Sequence, residues 1–184
     1  MATEAQHGRQ RAREEQELLH WITQMPSTQS AWLLLLFCAV PRANHLLRTV
    51  PPILVQSYAA DHDNQILRAF DALIGMEAAP DTEPMHGIPR TMWSRQARLP
   101  LRFGGCGLRD SGRTSHAAFW ASVADCLPIL RSRFPALGNA ILEGLESTVP
   151  AGTDLETGLG AAVDAAAMLA AAGFADMPAW REIM

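Results

Sequence analysis

Three stretches of this sequence carry residue types at spacings that chemistry could use. Residues 107–114, GLRDSGRT, match the phosphate-loop spacing G-x-x-x-x-G-K-[ST], except that Arg113 stands where that loop has Lys. Such a loop cradles phosphates with backbone N–H groups between a strand and a helix, while a compact ammonium reaches the outer phosphates. A planar guanidinium is a poor substitute for that point charge, so the stretch reads as a turn followed by a helix cap. The dinucleotide pattern G-x-G-x-x-G also fails, because Gly105 and Gly107 fit it but Asp110 stands where the third Gly is needed. Residues 58–63, YAADHD, invite comparison with the adjacent Asp pair that holds two metal ions for phosphoryl transfer. Here His62 separates Asp61 from Asp63 and helical periodicity follows, so the two acids read as stabilising a helix N-terminus. His20, His45, His62, His86 and His116 show neither HxxxH nor HxxE spacing, and no Ser lies in a G-x-S-x-G elbow. Nothing pairs a nucleophile with its base, and neither a metal nor a cofactor is expected.

The third stretch is basic. Arg90, Arg95, Arg98, Arg102, Arg109 and Arg113 lie near Trp93 and Phe103, a mixture that could track a phosphate backbone and stack bases. Residues 90–133 hold eight Arg against Asp110 and Asp125, a net of +6, whereas residues 134–184 hold seven acids against Arg181, a net of -6. The competing reading is a solvated face neutralised by the chain's own acidic tail. All fifteen basic residues are Arg, so an individual Arg is a weaker sign of bidentate recognition than in a chain that uses both cations. A nucleic-acid duplex is the partner this segment would suit.

The elements that must position these residues are helical. With 184 residues, 48% apolar and 18% charged, the chain fits one domain, or one plus a tail. Domains of this size bury roughly 70% of their unfolded surface. Cys38, Cys106 and Cys126 are odd in number and far apart, which fits neither a disulfide framework nor a zinc site. A reducing, intracellular setting and a soluble chain are therefore the default. Residues 1–16 are polar with mixed charge and no adjacent apolar stretch, unlike a secretory signal. The run 31–40, AWLLLLFCAV, is about half of the ~20 residues a membrane span needs. Its all-round hydrophobicity predicts a buried helix in the middle of a bundle, with no membrane partner.

In order, a helix is expected over about residues 13–25, with Leu18, Leu19 and Ile22 on one side and Pro26 as its stop. Ser27 or Ser30 caps the next, Pro41 divides it, and Pro51 and Pro52 break the chain. From Asp61 or Asp63, Ile66, Leu67, Phe70, Leu73 and Ile74 keep helical spacing up to a stop at Gly75. Residues 76–87 read as a surface loop, and Pro89 suits the first turn of a helix to about Ala97. Leu99, Leu101 and Phe103 alternate with Pro100 and Arg102 like a half-buried strand or extended segment, which Gly104, Gly105 and Gly107 turn, at least one of them with positive φ. Asp110 or Ser111 caps a helix from about Thr114, whose face Ala117, Trp120, Val123, Ala124 and Leu127 buries Trp120 against the 31–40 helix until Pro128 ends or kinks it. Residues 136–145 form a helix, 148–160 are turn-rich, and the near-uniform Ala of 161–172 predicts a weakly packed tail. The fold class is mainly α: an irregular helical bundle with a short extended glycine-rich turn segment and an Ala-rich C-terminal tail. Its expected divisions are a flexible terminus (1–13), a helical domain (14–135) and an acidic helical tail (136–184).

Three blocks in this order, EEQELLHWITQMPSTQSAWLLLLFCAVPRANHLLRTVPP, HDNQILRAFDALIG and ARLPLRFGGCGLRDSGRTSHAAFWASVADCLPIL, resemble the region that follows the polymerase palm in reverse transcriptases of non-LTR retrotransposons. The third is the most specific: Leu99, Pro100, Gly104, Gly105, Gly107 and Leu108 match that family's Leu-Pro, spacer and Gly-Gly-Leu-Gly-Leu/Ile run, with Cys106 in place of a Leu. The resemblance covers roughly residues 14–135 and implies the helical thumb and connecting segment that hold template and primer. Catalysis in the family belongs to a paired Asp of the palm and to an endonuclease domain, and neither motif is found here. The expectation is a severed C-terminal part without catalysis of its own and with residual affinity for nucleic acid, or else a helical protein-interaction module or an expressed relic.

Overall fold

Pro52 occupies the first position of a helix that runs to Leu73, and this helix carries more of the structure than its sequence spacing predicts. Pro suits that position because its missing N–H would have no partner there anyway. The apolar stripe, expected from Asp61 or Asp63 onward, begins well before them. Pro52, Val55, Ala59, His62, Ile66, Ala69 and Phe70 are all buried at helical spacing. Asp61 and Asp63 thus lie in the middle of a helix, not at its N-terminus, and Gly75, with φ +76°, follows its C-terminal end as expected.

A computed structural model describes residues 2–76, 90–147, 157–174 and 176–183, without the side chains of residues 2–9, 11, 12, 90 and 91. In chain order the helices are α1 (Ala2–Thr23), α2 (Thr28–Leu34), α3 (Asn44–Thr49), α4 (Pro52–Leu73), α5 (Arg90–Ala97), α6 (Ser111–Arg133), α7 (Pro135–Glu146) and α8 (Gly158–Ala171). The mainly α class is what the sequence predicts. Helix α1 starts far earlier than residue 13, so residues 2–13, expected as a flexible terminus, are helical. Residues 77–89 and 148–156, with the loop and Pro89 expected there, lie outside the described residues.

The chain forms two units: Met1–Ala43 with Tyr58–Ser111, and Asn44–Ser57 with Gly112–Met184. The divisions fall inside α4 and at the start of α6, not at residues 13 and 135, because the helices after Pro135 share a core with α6.

In the first unit, Leu19 and Ile22 of α1, Ala31 and Leu35, and Ile66 and Phe70 of α4 form the core. Ser27 caps α2 by accepting the Ser30 N–H at 3.3 Å. Between α2 and α3 the backbone passes through a π turn (Leu35–Ala39) and a 3-10 turn (Val40–Ala43). Pro41 accounts for both: its ring cannot sit over the carbonyl of residue 37 in an α-helix, so the ladder widens before it and tightens after it. The expectation of all-round burial for residues 31–40 is corrected here. Ala31, Leu35, Ala39 and Val40 are buried, whereas Leu33, Leu34 and Phe37 are exposed.

A buried polar contact joins three parts of this unit. His62 Nε2 lies 3.2 Å from the Val40 carbonyl oxygen, and His62 Nδ1 lies 2.5 Å from Glu15 Oε1, both side chains being 1% exposed. The second contact is an ion pair without good hydrogen-bond alignment, since neither Glu15 oxygen has a hydrogen-bond partner among the described residues. A carbonyl only accepts, so the Nε2–H of His62 donates to Val40.

The glycine turn closes on the end of α5. Cys106 N–H and Leu108 N–H both donate to the Ala97 carbonyl at 3.1 and 3.2 Å, and Gly107 N–H donates to Leu99 O at 2.8 Å. Carbonyls that a helix C-terminus leaves unpaired are satisfied in this way. Gly104 and Gly107 have φ of +75° and +71°, the positive values expected of at least one glycine here. Residues 99–103 do not form the half-buried extended segment: Leu101–Phe103 is a 3-10 turn. Leu99, Leu101 and Phe103 are exposed, and the residues packed inward are Ala97 and Leu108. The backbone that a strand would use is bonded within the turn, Phe103 N–H donating to Pro100 O at 2.9 Å and Gly104 N–H to Leu101 O at 3.0 Å.

In the second unit α6 begins at Ser111, earlier than Thr114, and continues through Pro128 to Arg133. Phe119, Ala124 and Leu127 are its buried residues, and they pack with Leu142 and Leu145 of α7, Ala161 and Ala162 of α8, and Trp180. Trp120 is half-buried at the edge of that core, 5.5 Å from the Trp180 ring, whereas residues 31–40, its expected neighbours, belong to the first unit. The tail is therefore not weakly packed. Its alanines let α8 approach closely, and Ala161, Ala162, Ala165 and Leu169 are buried.

Two predictions follow from geometry. A Cβ at Gly105 would collide with the Leu99 carbonyl and lie 2.6 Å from Gln96 O, whereas one at Gly104 would meet open space. Gly105→Ala should therefore lower stability by about 3 kcal/mol, and Gly104→Ala by about 1 to 2 kcal/mol from its left-handed backbone alone, as read from urea midpoints. Glu15→Ala, which leaves His62 Nδ1 in a dry interior, should cost about 3 to 5 kcal/mol; an unchanged midpoint would remove the pair from the framework.

Candidate nucleic-acid interface

Helix α5, the glycine turn and the first turn of α6 position the six arginines expected to meet nucleic acid, and they place them in different situations. Arg90 opens α5, and its side chain lies outside the described residues. Arg95, in the last turn of α5, is exposed and complements the negative end of that helix. Arg98 is engaged internally: its Nη1 lies 2.7 Å from Asp110 Oδ2, with both side chains largely buried. This pair spans the glycine turn from the end of α5 to the residue before α6. Arg102 and Arg109 are exposed on the turn itself. Arg113 is exposed on α6 and belongs to the second unit, whereas the other five belong to the first.

The aromatic residues separate in the same way. Trp93, expected beside the arginines as a stacking platform, is half-buried with its ring 5.2 Å from Phe70, so it is a core residue. Phe103 is 63% exposed, and the Arg102 guanidinium carbon sits 4.8 Å from its ring centroid. Leu101, 69% exposed, stands on the same 3-10 turn. The turn thus presents a flat aromatic face, a cation over it and further cations at Arg95 and Arg109. Among the described residues none of these three arginines forms an ion pair with a carboxylate. An array of this kind can take a phosphate and a base at once.

Asp110 is the functional detail that spacing did not reveal. An acid inside a run of arginines was the available signal, yet its partner twelve positions back is set by the glycine turn. Asp63 is a second instance. Its Oδ1 accepts the Ser111 N–H at 2.9 Å and so supplies, from α4, a cap expected of Asp110 or Ser111. The GLRDSGRT stretch is accordingly a loop followed by a helix start. No strand precedes it among the described residues. Two acids of the tail pair within their own unit, Glu146 with Arg181 at 2.5 Å and Asp164 with His116 at 3.9 Å. No cluster of three or more His, Cys, Asp or Glu that could hold a metal ion occurs among the described residues.

Comparison with protein-family models, curated proteins and solved structures gives no match to this chain.

Cys106, whose N–H helps to close the turn, is half-buried, and burial pushes its thiol pKa up. Its thiolate forms at higher pH than a free cysteine's, so its alkylation rate should rise at higher pH than a small-molecule thiol's and should trail that of the exposed Cys38 and Cys126. Peptide mapping after iodoacetamide at stepped pH measures both. Equal rates at all three cysteines would mean that the turn opens readily.

Proposed function

We propose that the chain is a non-catalytic helical module derived from the post-palm region of a non-LTR retrotransposon reverse transcriptase, which binds nucleic acid without sequence preference through Arg95, Arg102, Arg109 and Phe103. The observation that carries this reading is the exposed Phe103 with the Arg102 guanidinium over its face, on a turn flanked by two more exposed arginines. It lies in the block on which the resemblance is most specific. Arg98 maintains the turn through Asp110 and is not counted among the contacts. In favour of a non-catalytic module, the buried Asp63 accepts the Ser111 N–H, and no group of three or more His, Cys, Asp or Glu that could hold a metal occurs among the described residues. We place the protein inside the cell and in solution. The helical run Thr28–Thr49, 22 residues with mean hydropathy 1.3, is long and apolar enough to cross a membrane by length and composition. Pro41, Arg42, Asn44, His45 and Arg48 within it favour a helix packed on protein.

A second reading, a protein-interaction module, is favoured by the exposed Leu33, Leu34 and Phe37 of the first unit. A mobility-shift titration of a primer–template duplex with a single-stranded overhang, at stepped salt, separates the two. Counterion release should give a log–log slope of about -0.9 per phosphate contact, so replacing Arg95, Arg102 and Arg109 together by Ala should flatten the slope by about 2 to 3. Phe103→Ala should weaken binding by about 1 to 3 kcal/mol with the slope unchanged. No shift at low salt would defeat the nucleic-acid reading and leave the interaction module.

A further inference from the structure

The second unit contains a groove that the basic turn does not involve. Its volume is about 1030 Å³, at the upper end of the range for small-molecule sites, and it lies between α3, α6, α7 and the first turn of α8. Leu127, Leu130, Ile141, Val163 and Phe119 make its walls, and a side chain at Gly158 would meet open space there. Three hydroxyls among the lining residues are already used by backbone. Thr49 Oγ1 donates to His45 O at 2.8 Å, Ser147 Oγ donates to Gly144 O at 2.8 Å, and Thr157 Oγ1 accepts the Gly160 N–H at 3.2 Å. They present little unsatisfied polarity to an occupant.

Among the described residues that line the groove, Arg48 is the charged one and none is a carboxylate. Arg48 Nη2 contacts Asp125 at 2.7 Å, with side chains 45% and 69% exposed. Solvent screens such a pair heavily, and a guanidinium keeps further N–H donors for a second acceptor. The N-terminal residues of α8 lie in the same lining, and the partial positive charge of a helix N-terminus favours an anion as Arg48 does. An apolar groove with a single cation matches a molecule with one negative head and one apolar chain. A peptide helix would bring a polar rim of its own, for which a single charged side chain offers little complement.

We propose that this groove binds one monomer of a long-chain carboxylate, its chain among Leu127, Leu130, Ile141 and Val163 and its head at Arg48. Cys126 is exposed and lines the groove, while Cys38, also exposed, belongs to the first unit and serves as an internal reference. The test is alkylation of the full-length chain by iodoacetamide with and without oleate, held below the concentration at which it forms micelles, with peptide mapping of both cysteines. Oleate should slow the reaction of Cys126 by about tenfold in a saturable way and leave Cys38 unchanged. Arg48→Gln should weaken protection by oleate about tenfold while leaving protection by oleyl alcohol unaltered. Ser122→Trp, placed to fill the groove, should abolish protection by both ligands, with circular dichroism checking that the helices remain. Unprotected Cys126 would overturn the proposal, as would equal protection of Cys38. Protection by oleate-containing vesicles but not by monomer would overturn it in favour of a lipid surface, and an unaltered oleate response in Arg48→Gln would overturn the assignment of the head.

Discussion

His62 lies at the middle of a run of polar contacts almost closed to solvent, and the arrangement of the first unit depends on it. One ring nitrogen faces the Val40 carbonyl and the other faces Glu15, so α1, the 3-10 turn after α2 and α4 are held by a single imidazole. The Val40 contact has a specific origin. The Val40 carbonyl belongs to the 3-10 turn that Pro41 shapes, and a carbonyl oxygen has a second lone pair for the His62 ring. The ion pair is a different matter. Removing a carboxyl group and an imidazole from water costs several kcal/mol per charge, which their attraction offsets only in part. Leucines of similar volume could make a core as stable. What the polar contact adds is register: an apolar stripe tolerates a helix that slides by a turn, whereas this contact is lost if α1 or α4 shifts.

The next residue along α4 extends the same logic. Asp63 is buried and its carboxylate accepts the N–H of Ser111, so α4 supplies the cap from which α6 departs. A cap usually comes from the residue just before a helix. Here Asp63 bonds the start of α6 from a helix distant in sequence, while Asp110, the residue just before α6, pairs with Arg98 across the glycine turn. Two adjacent positions on α4 thus fix α1 and the start of α6.

Helix content and several boundaries were legible because they depend on local chemistry: Ser27 as a cap, Gly75 after the last turn of α4, and positive φ at the glycine turn. The errors have a common cause. Alternation over residues 99–103 reads as a period of two, but the backbone closes a 3-10 turn on itself there, and the apolar side chains turn outward. The oily run 31–40 reads as buried all round, although one face is enough to meet α1 and α4. The alanines of α8 read as too small to make a core, although small side chains are what allow two helices to approach. In each case residue type was interpreted without its neighbour, and the neighbour is set by contacts distant in sequence.

The same distinction limits what the basic segment can be. Composition presents six arginines from Arg90 to Arg113 as one surface, but they serve different physical ends. Arg98 is spent on Asp110, and without that pair the two ends of the glycine turn would have no charged tie. Arg113 belongs to another unit. The turn that Arg98 stabilises is also what carries Arg102 and Phe103 outward, so the internal ion pair and the exposed cation are complementary. A loop that must show an aromatic ring to solvent loses apolar burial. It persists here because Gly105 sits directly against the Leu99 carbonyl, where no larger residue fits. The tightness of the backbone, more than the number of positive charges, is what gives this surface a defined shape.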